Sequence, residues 1–148
     1  MTILLLSLAG VVLSIVVGTF WYSPNTPMGK AHMRFLGFDK LTPDEQQQKI
    51  EEAKPQMFKI YAAQMALSLL TSVATVFIMS MSIQNGVTVP LALGFVVFNW
   101  LCFMVPVVGG QLLWANVEGS VALRKFFSDI THHLVSILLI ALFTTLFV

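Results

Sequence analysis

The sequence predicts an all-α membrane protein: four transmembrane helices in an antiparallel bundle, with a cytoplasmic amphipathic and polar helical loop between helices 1 and 2. Three observations carry this. Four apolar runs, at about 3–21, 58–83, 89–114 and 121–147, each reach the ~20 residues that an α-helix needs to cross ~30 Å of hydrocarbon. The composition is 57% hydrophobic and 10% charged, whereas an ordinary soluble domain carries roughly 25% charged residues. And all eight Lys and Arg fall between the first two runs, at the edge of the second, or at the start of the fourth. One domain, residues 1–148, accommodates all of this.

The first run carries no charge from Ile3 to Trp21. Trp21 and Tyr22 then fall where rings with one polar edge prefer to lie, at the headgroup level. Ser23 and Pro24 end the helix, because proline lacks the backbone donor and restricts the residue before it. No Lys or Arg precedes the run and no small-residue cleavage site follows it, so it reads as an uncleaved span rather than a signal peptide. Gly10, Ser14 and Gly18 recur every fourth residue. Such small-residue rows let helix backbones approach closely in lipid. The row serves either a partner helix of the same chain or a second copy.

The loop at 22–57 has two parts. From Met28 to Phe38, Met28, Ala31, Phe35 and Leu36 lean one way, with Lys30 and Arg34 on the other side. That pattern suits a short helix lying in the membrane interface, and Gly37 is its natural stop. Thr42-Pro-Asp-Glu45 then forms a capping box with proline at the first helical position. A polar surface helix follows, with Glu45 and Lys49 paired one turn apart, until Pro55 breaks it.

In the second span Gln64, Ser68, Thr71, Ser72 and Thr75 make a weakly polar stripe at helical spacing, which marks an inward face. Gln84-Asn85-Gly86 is a tight turn. The third span holds Asn99 near its middle and Pro106, which bends it, and ends near Gln111 and Trp114. The fourth opens with Arg124 and Lys125 and is apolar from Leu134 onward, apart from hydroxyl side chains. Basic loops stay cytoplasmic. The distribution of cations therefore orients the chain with both termini, and the turn at 84–88, outside.

Two stretches also carry a resemblance. Gly18-x-x-Trp21-Tyr22-Ser23-Pro24, followed by Met28-Gly29-Lys30, is one; Asp129-Ile-Thr-His132-His133-Leu-Val-Ser136 is the other. Together they make the chain similar to the bacterial membrane family called domain of unknown function 1761. The resemblance implies a four-span fold in a bacterial cytoplasmic (inner) membrane. It brings no activity and no catalytic residue.

Ionisable residues inside membrane segments are costly, so each is a candidate for function. Here they are Asp129, His132 and His133, spaced so that both imidazoles can turn toward the carboxylate. A proton relay, a metal site or an anionic ligand would suit them. So would an ion pair with Lys125 near the surface, with the imidazoles bonded to neighbouring helices. Gln64 at the start of span two and Gln111 at the end of span three fall at a similar depth, beneath the interfacial anchors Trp21, Tyr22 and Trp114. Asp129, His132, His133, Gln64 and Gln111 together form a candidate cytoplasm-facing polar site. The outer halves of the spans offer nothing comparable.

That asymmetry weighs against transport by a single chain, which needs polar lining across the whole thickness or a midplane site. Metal catalysis needs three or four ligands, and two adjacent histidines, distant His32 and the single Cys102 fall short. No nucleophile triad, phosphate loop or paired-carboxylate pattern is present, no cofactor is implied, and a net charge of +1 gives no reason to expect nucleic acid. The sequence thus reads as a structural or accessory membrane component, its partners the lipid bilayer and a homo-oligomer or larger membrane complex. The alternatives are a small-molecule or lipid-headgroup binder and an oligomeric pore or transporter.

Overall fold

In a computed structural model that describes residues 2–148, every regular element is helical. Met1, at the start of the expected domain, lies outside the described residues. The elements are α1 (Thr2–Trp21), α2 (Pro27–Phe35), a 3-10 turn (Phe38–Lys40), α3 (Pro43–Gln84), α4 (Val89–Asn99), a π turn (Trp100–Met104), α5 (Val105–Leu113) and α6 (Gly119–Thr144). Four helical stretches are long and apolar enough to cross a membrane: Ile3–Trp21, the α3 helix, Val89–Leu113 and α6.

The loop expected at 22–57 contains more continuous structure than its sequence suggested. α2 begins at a Thr26 cap and ends where Gly37 takes a left-handed φ of 73°, open to glycine without penalty. Thr42 and Glu45 form the capping box, the Glu45 carboxylate accepting the Thr42 amide at 2.7 Å and its hydroxyl at 2.8 Å. That carboxylate is held at the cap, and the ion pair on this helix is Lys54–Glu51 rather than Glu45–Lys49.

Pro55 does not break the helix: α3 runs unbroken for 42 residues through it. A proline removes one bond, to the carbonyl four residues back, here Glu51. Both residues are exposed, so water takes the free carbonyl, and the surrounding Gln, Glu, Lys and Ala are good helix formers. At 1.5 Å per residue α3 is about 63 Å long, roughly twice the hydrocarbon thickness, so its polar start projects beyond a bilayer.

Pro106 also acts, but through winding. Cys102 can receive no amide from it, and the chain widens into the π turn in which the Val105 amide reaches back to Trp100. The Trp100 indole, carried on this turn, donates to the Ile130 carbonyl of α6 at 3.1 Å.

Packing centres on α6, which contacts each of the other five helices. Met79, Ala92, Val96, Ile137 and Ala141 join α3, α4 and α6, while Leu6, Val76 and Ile140 join α1, α3 and α6. The stripe on α3 turns inward at Ser72 and Thr75, both buried, and opens outward by Gln64, which is exposed. Ser72 donates to the Ser7 carbonyl at 2.8 Å, a bond between helix backbones that only small residues allow. Gly10 lies against this contact. A Cβ there would strike the Ser72 side chain and come within 3.2 Å of Ile140.

Gly10→Val should therefore lower the melting temperature in detergent, by the equivalent of about 1–3 kcal/mol for overpacking. Gly94→Val, where an added Cβ meets nothing within 4 Å, should not.

Candidate functional site

The turn out of α1 is wound tightly. The Thr26 hydroxyl donates to the Trp21 carbonyl at 2.7 Å while accepting the Gly29 amide at 2.9 Å. Gly29 then sits directly on the Ser23 carbonyl, where no side chain fits. This winding carries Trp21 and Tyr22 onto α6 instead of leaving them free at an interface. The Trp21 indole donates to both the carbonyl and the hydroxyl of Ser128, each at 3.2 Å. The Tyr22 hydroxyl donates to Asp129 Oδ1 at 2.7 Å.

Asp129 also holds the Lys125 ammonium through both carboxylate oxygens. Four residues apart, the two lie one above the other on α6. The pair expected near the surface is in fact mostly enclosed, with side chains 10% and 16% exposed. Two ring faces complete the shell of the cation, Tyr22 at 5.4 Å and Phe35 of α2 at 5.7 Å. A buried ammonium is tolerable when every direction around it offers negative charge or a π face.

Three imidazoles surround this pair. His32 of α2 and His132 of α6 each lie 5.1 Å from the Tyr22 ring, and His133 lies 5.3 Å from His132. Gly18 faces this group, its Cβ position 3.5 Å from His132 Nε2, an ordinary contact distance. His32 Nδ1 and His132 Nε2 are both buried without a hydrogen-bond partner, so the expected bonds from imidazole to neighbouring helix are not made at those atoms. Burial, aided by Lys125, holds the His32 imidazole below its ordinary value of 6.5. Burial, and secondly the Asp129 charge, pushes the Tyr22 phenol far above its ordinary value of 10.0.

Asp129, His132 and His133 are thus brought together with Lys125, the partner expected for Asp129, and with Tyr22, Trp21 and His32, which sequence reading had placed elsewhere. Gln64 and Gln111 are exposed, and among the described residues no hydrogen bond ties either to the cluster. Trp114 is 90% exposed at the end of α5. Gly10 and Gly18 pack on α3 and α6 of the same chain, with Ser14 half-buried between them. No group of three or more His, Cys, Asp or Glu among the described residues is placed to hold a metal ion.

The cluster should behave as a clamp. Tyr22→Phe removes one donor to a charged group and should cost about 1.5–3 kcal/mol in unfolding assays by denaturing detergent. Asp129→Asn strands a buried ammonium and should cost more, roughly 3–5 kcal/mol, while the pair Lys125→Met with Asp129→Leu should recover most of that loss. The pH dependence has two arms. As pH falls below 6.5 the unfolded His32 gains a proton that the folded state resists, so stability drops, and His32→Gln should flatten that arm. Above pH 10.0 the unfolded phenol ionises while Tyr22 in the fold does not, so stability drops there too, and Tyr22→Phe should blunt it.

The two stretches that carry the sequence resemblance are the two halves of this clamp, 107 residues apart in the chain and bonded in the fold. No curated protein and no solved structure matches the chain. The family described as protein of unknown function DUF1761 matches residues 5–145, nearly the whole chain, and the protein belongs to that family.

Proposed function

We propose that this protein is a single-domain, four-span component of a bacterial cytoplasmic membrane, structural or accessory in role and not a catalyst. The observation that carries the reading is the mostly enclosed Asp129 carboxylate, both of whose oxygens are taken by Tyr22 and Lys125. A proton carrier or transport site needs an ionisable group that exchanges partners with substrate. This one is bonded to its own fold. Two further polar contacts have the same character, Ser72 with Ser7 and Trp21 with Ser128.

The antiparallel arrangement is supported by contact register. Leu6 packs with Ile140 and Val76, Ser7 meets Ser72, Gly18 meets His132, and Trp21 meets Ser128. As α1 advances, its partners on α3 and α6 recede. The orientation is supported by charge, since the eight Lys and Arg all lie toward the end of the bundle where α1 exits, α3 enters and α6 begins. In this reading both termini are outside, and α2 and the polar start of α3 are cytoplasmic. That start of α3, projecting and exposed, is the surface an accessory protein would offer to a larger complex.

In a Cys102→Ser background, Asn85→Cys should react with a membrane-impermeant maleimide in intact cells, and Lys49→Cys only after permeabilisation. The reverse pattern would overturn the orientation. Cross-linking in the membrane followed by mild-detergent purification should recover a defined partner or a second copy; a monomer that carries nothing would remove the accessory role.

A further inference from the structure

We propose that the groove between α2 and α6 is a seat for the phosphate headgroup of an anionic phospholipid. The groove measures about 460 Å³, within the range of small-molecule sites, ~300–1,000 Å³. Three cations line it: Lys30 and Arg34 from successive turns of α2, and Arg124 from α6. Trp21, Met28 and Phe127 supply its apolar wall.

The charge of these three residues is unspent. Among the described residues the ion pairs are Lys54–Glu51 and Lys125–Asp129, so none of the three has a carboxylate partner. No Asp or Glu lines the groove. Asp39 and Glu118 line an adjoining hollow, with the same two arginines. Three like charges lining one groove, none in an ion pair, repel one another, and an anion among them relieves this. Guanidinium is the group best matched to phosphate oxygens, through paired N–H donors.

Position selects a lipid over a free anion. The groove opens beside Trp21, where the first apolar helix ends, and beside Phe127, within the first turns of α6. That is headgroup depth in a bilayer. Leu123 and Phe127 are each 56% exposed along the same helix, an apolar track on which acyl chains can lie. A soluble phosphate has no use for such a track. The site rests on the four-span membrane reading, but needs neither the orientation nor the accessory role.

The test uses the whole chain in mild detergent, with phosphatidylglycerol or phosphatidylcholine added and retained lipid read by native mass spectrometry. Wild-type protein should retain phosphatidylglycerol at least tenfold better than phosphatidylcholine. The triple variant Lys30→Ala, Arg34→Ala, Arg124→Ala should lose that preference. Lys49→Ala with Lys54→Ala, which also removes cations but not from the groove, should keep it. Should the triple variant fail to fold, the wild-type melting temperature gives a second reading, rising with phosphatidylglycerol and not with phosphatidylcholine. Equal retention of the two lipids, or retention unchanged in a folded triple variant, would overturn the site. Displacement of the lipid by an equal concentration of inorganic phosphate would overturn the lipid assignment in favour of a soluble anion. Failure of the wild-type chain to insert into phosphatidylcholine vesicles would instead overturn the four-span reading itself.

Discussion

A carboxylate and an ammonium can sit inside a helical bundle only if the fold replaces the water each has lost. The desolvation penalty for such ions is several kcal/mol apiece, and their mutual attraction offsets it only when the remaining valences are filled. Asp129 and Lys125 meet that condition through groups from three helices: the Tyr22 phenol at the end of α1, the Phe35 ring on α2, and their own spacing on α6. Much of the local architecture follows. Thr26 must cap α2 while holding the Trp21 carbonyl, and Gly29 must lack a side chain, or the turn could not deliver Tyr22 to the carboxylate. Gly18 lies against His132, whose Nε2 is 3.5 Å from where a Cβ would stand.

At the other end of the bundle the forces differ. Lipid tails are as apolar as leucine, so in a membrane, which these helices are apolar enough to cross, they would gain nothing from hiding apolar side chains from one another. They gain from close contact, and close contact needs small residues. Ser7, Gly10 and Ser72 let α1 and α3 touch at the backbone, and buried Leu6, Val76 and Ile140 pack together between α1, α3 and α6. One end of the molecule is thus held by charge and aromatic rings, the other by fit.

The four helices apolar enough to cross a membrane were legible because lipid would impose one rule on every residue within it, so a run of apolar side chains carries the message by itself. The caps were legible for a similar reason, since Thr42 and Glu45 act across only three residues. Pro55 was misread because its effect depends on solvent: in water the carbonyl it frees costs little, and the helix passes through. Of the candidate site, Asp129, His132 and His133 were found because ionisable groups are conspicuous in an apolar run. Tyr22 and Trp21 were seen but taken for interfacial anchors, a role their composition fits equally well. What distinguishes the roles is which helix stands opposite, and a contact between residues 107 apart leaves no local trace. Gln64 and Gln111 were drawn in by depth alone. Depth says nothing about which way a side chain points, and both are exposed.

The geometry of α2 links the interior to the surface. At 100° per residue, Lys30 and Arg34 lie roughly 150° around the helix from His32 and Phe35. His32 packs at a tilt against Tyr22, and Phe35 closes over Lys125. The side of α2 that covers the buried pair therefore turns the opposite side, with its two cations, toward Arg124 and the apolar wall of Trp21 and Phe127. A helix of nine residues has too few bonds to hold this pose alone. Its position comes from the rings and the cap beneath it. Any change that loosens Tyr22 or Asp129 must also release the constraint on Lys30 and Arg34, so the internal ion pair sets the spacing of the cations outside without touching them.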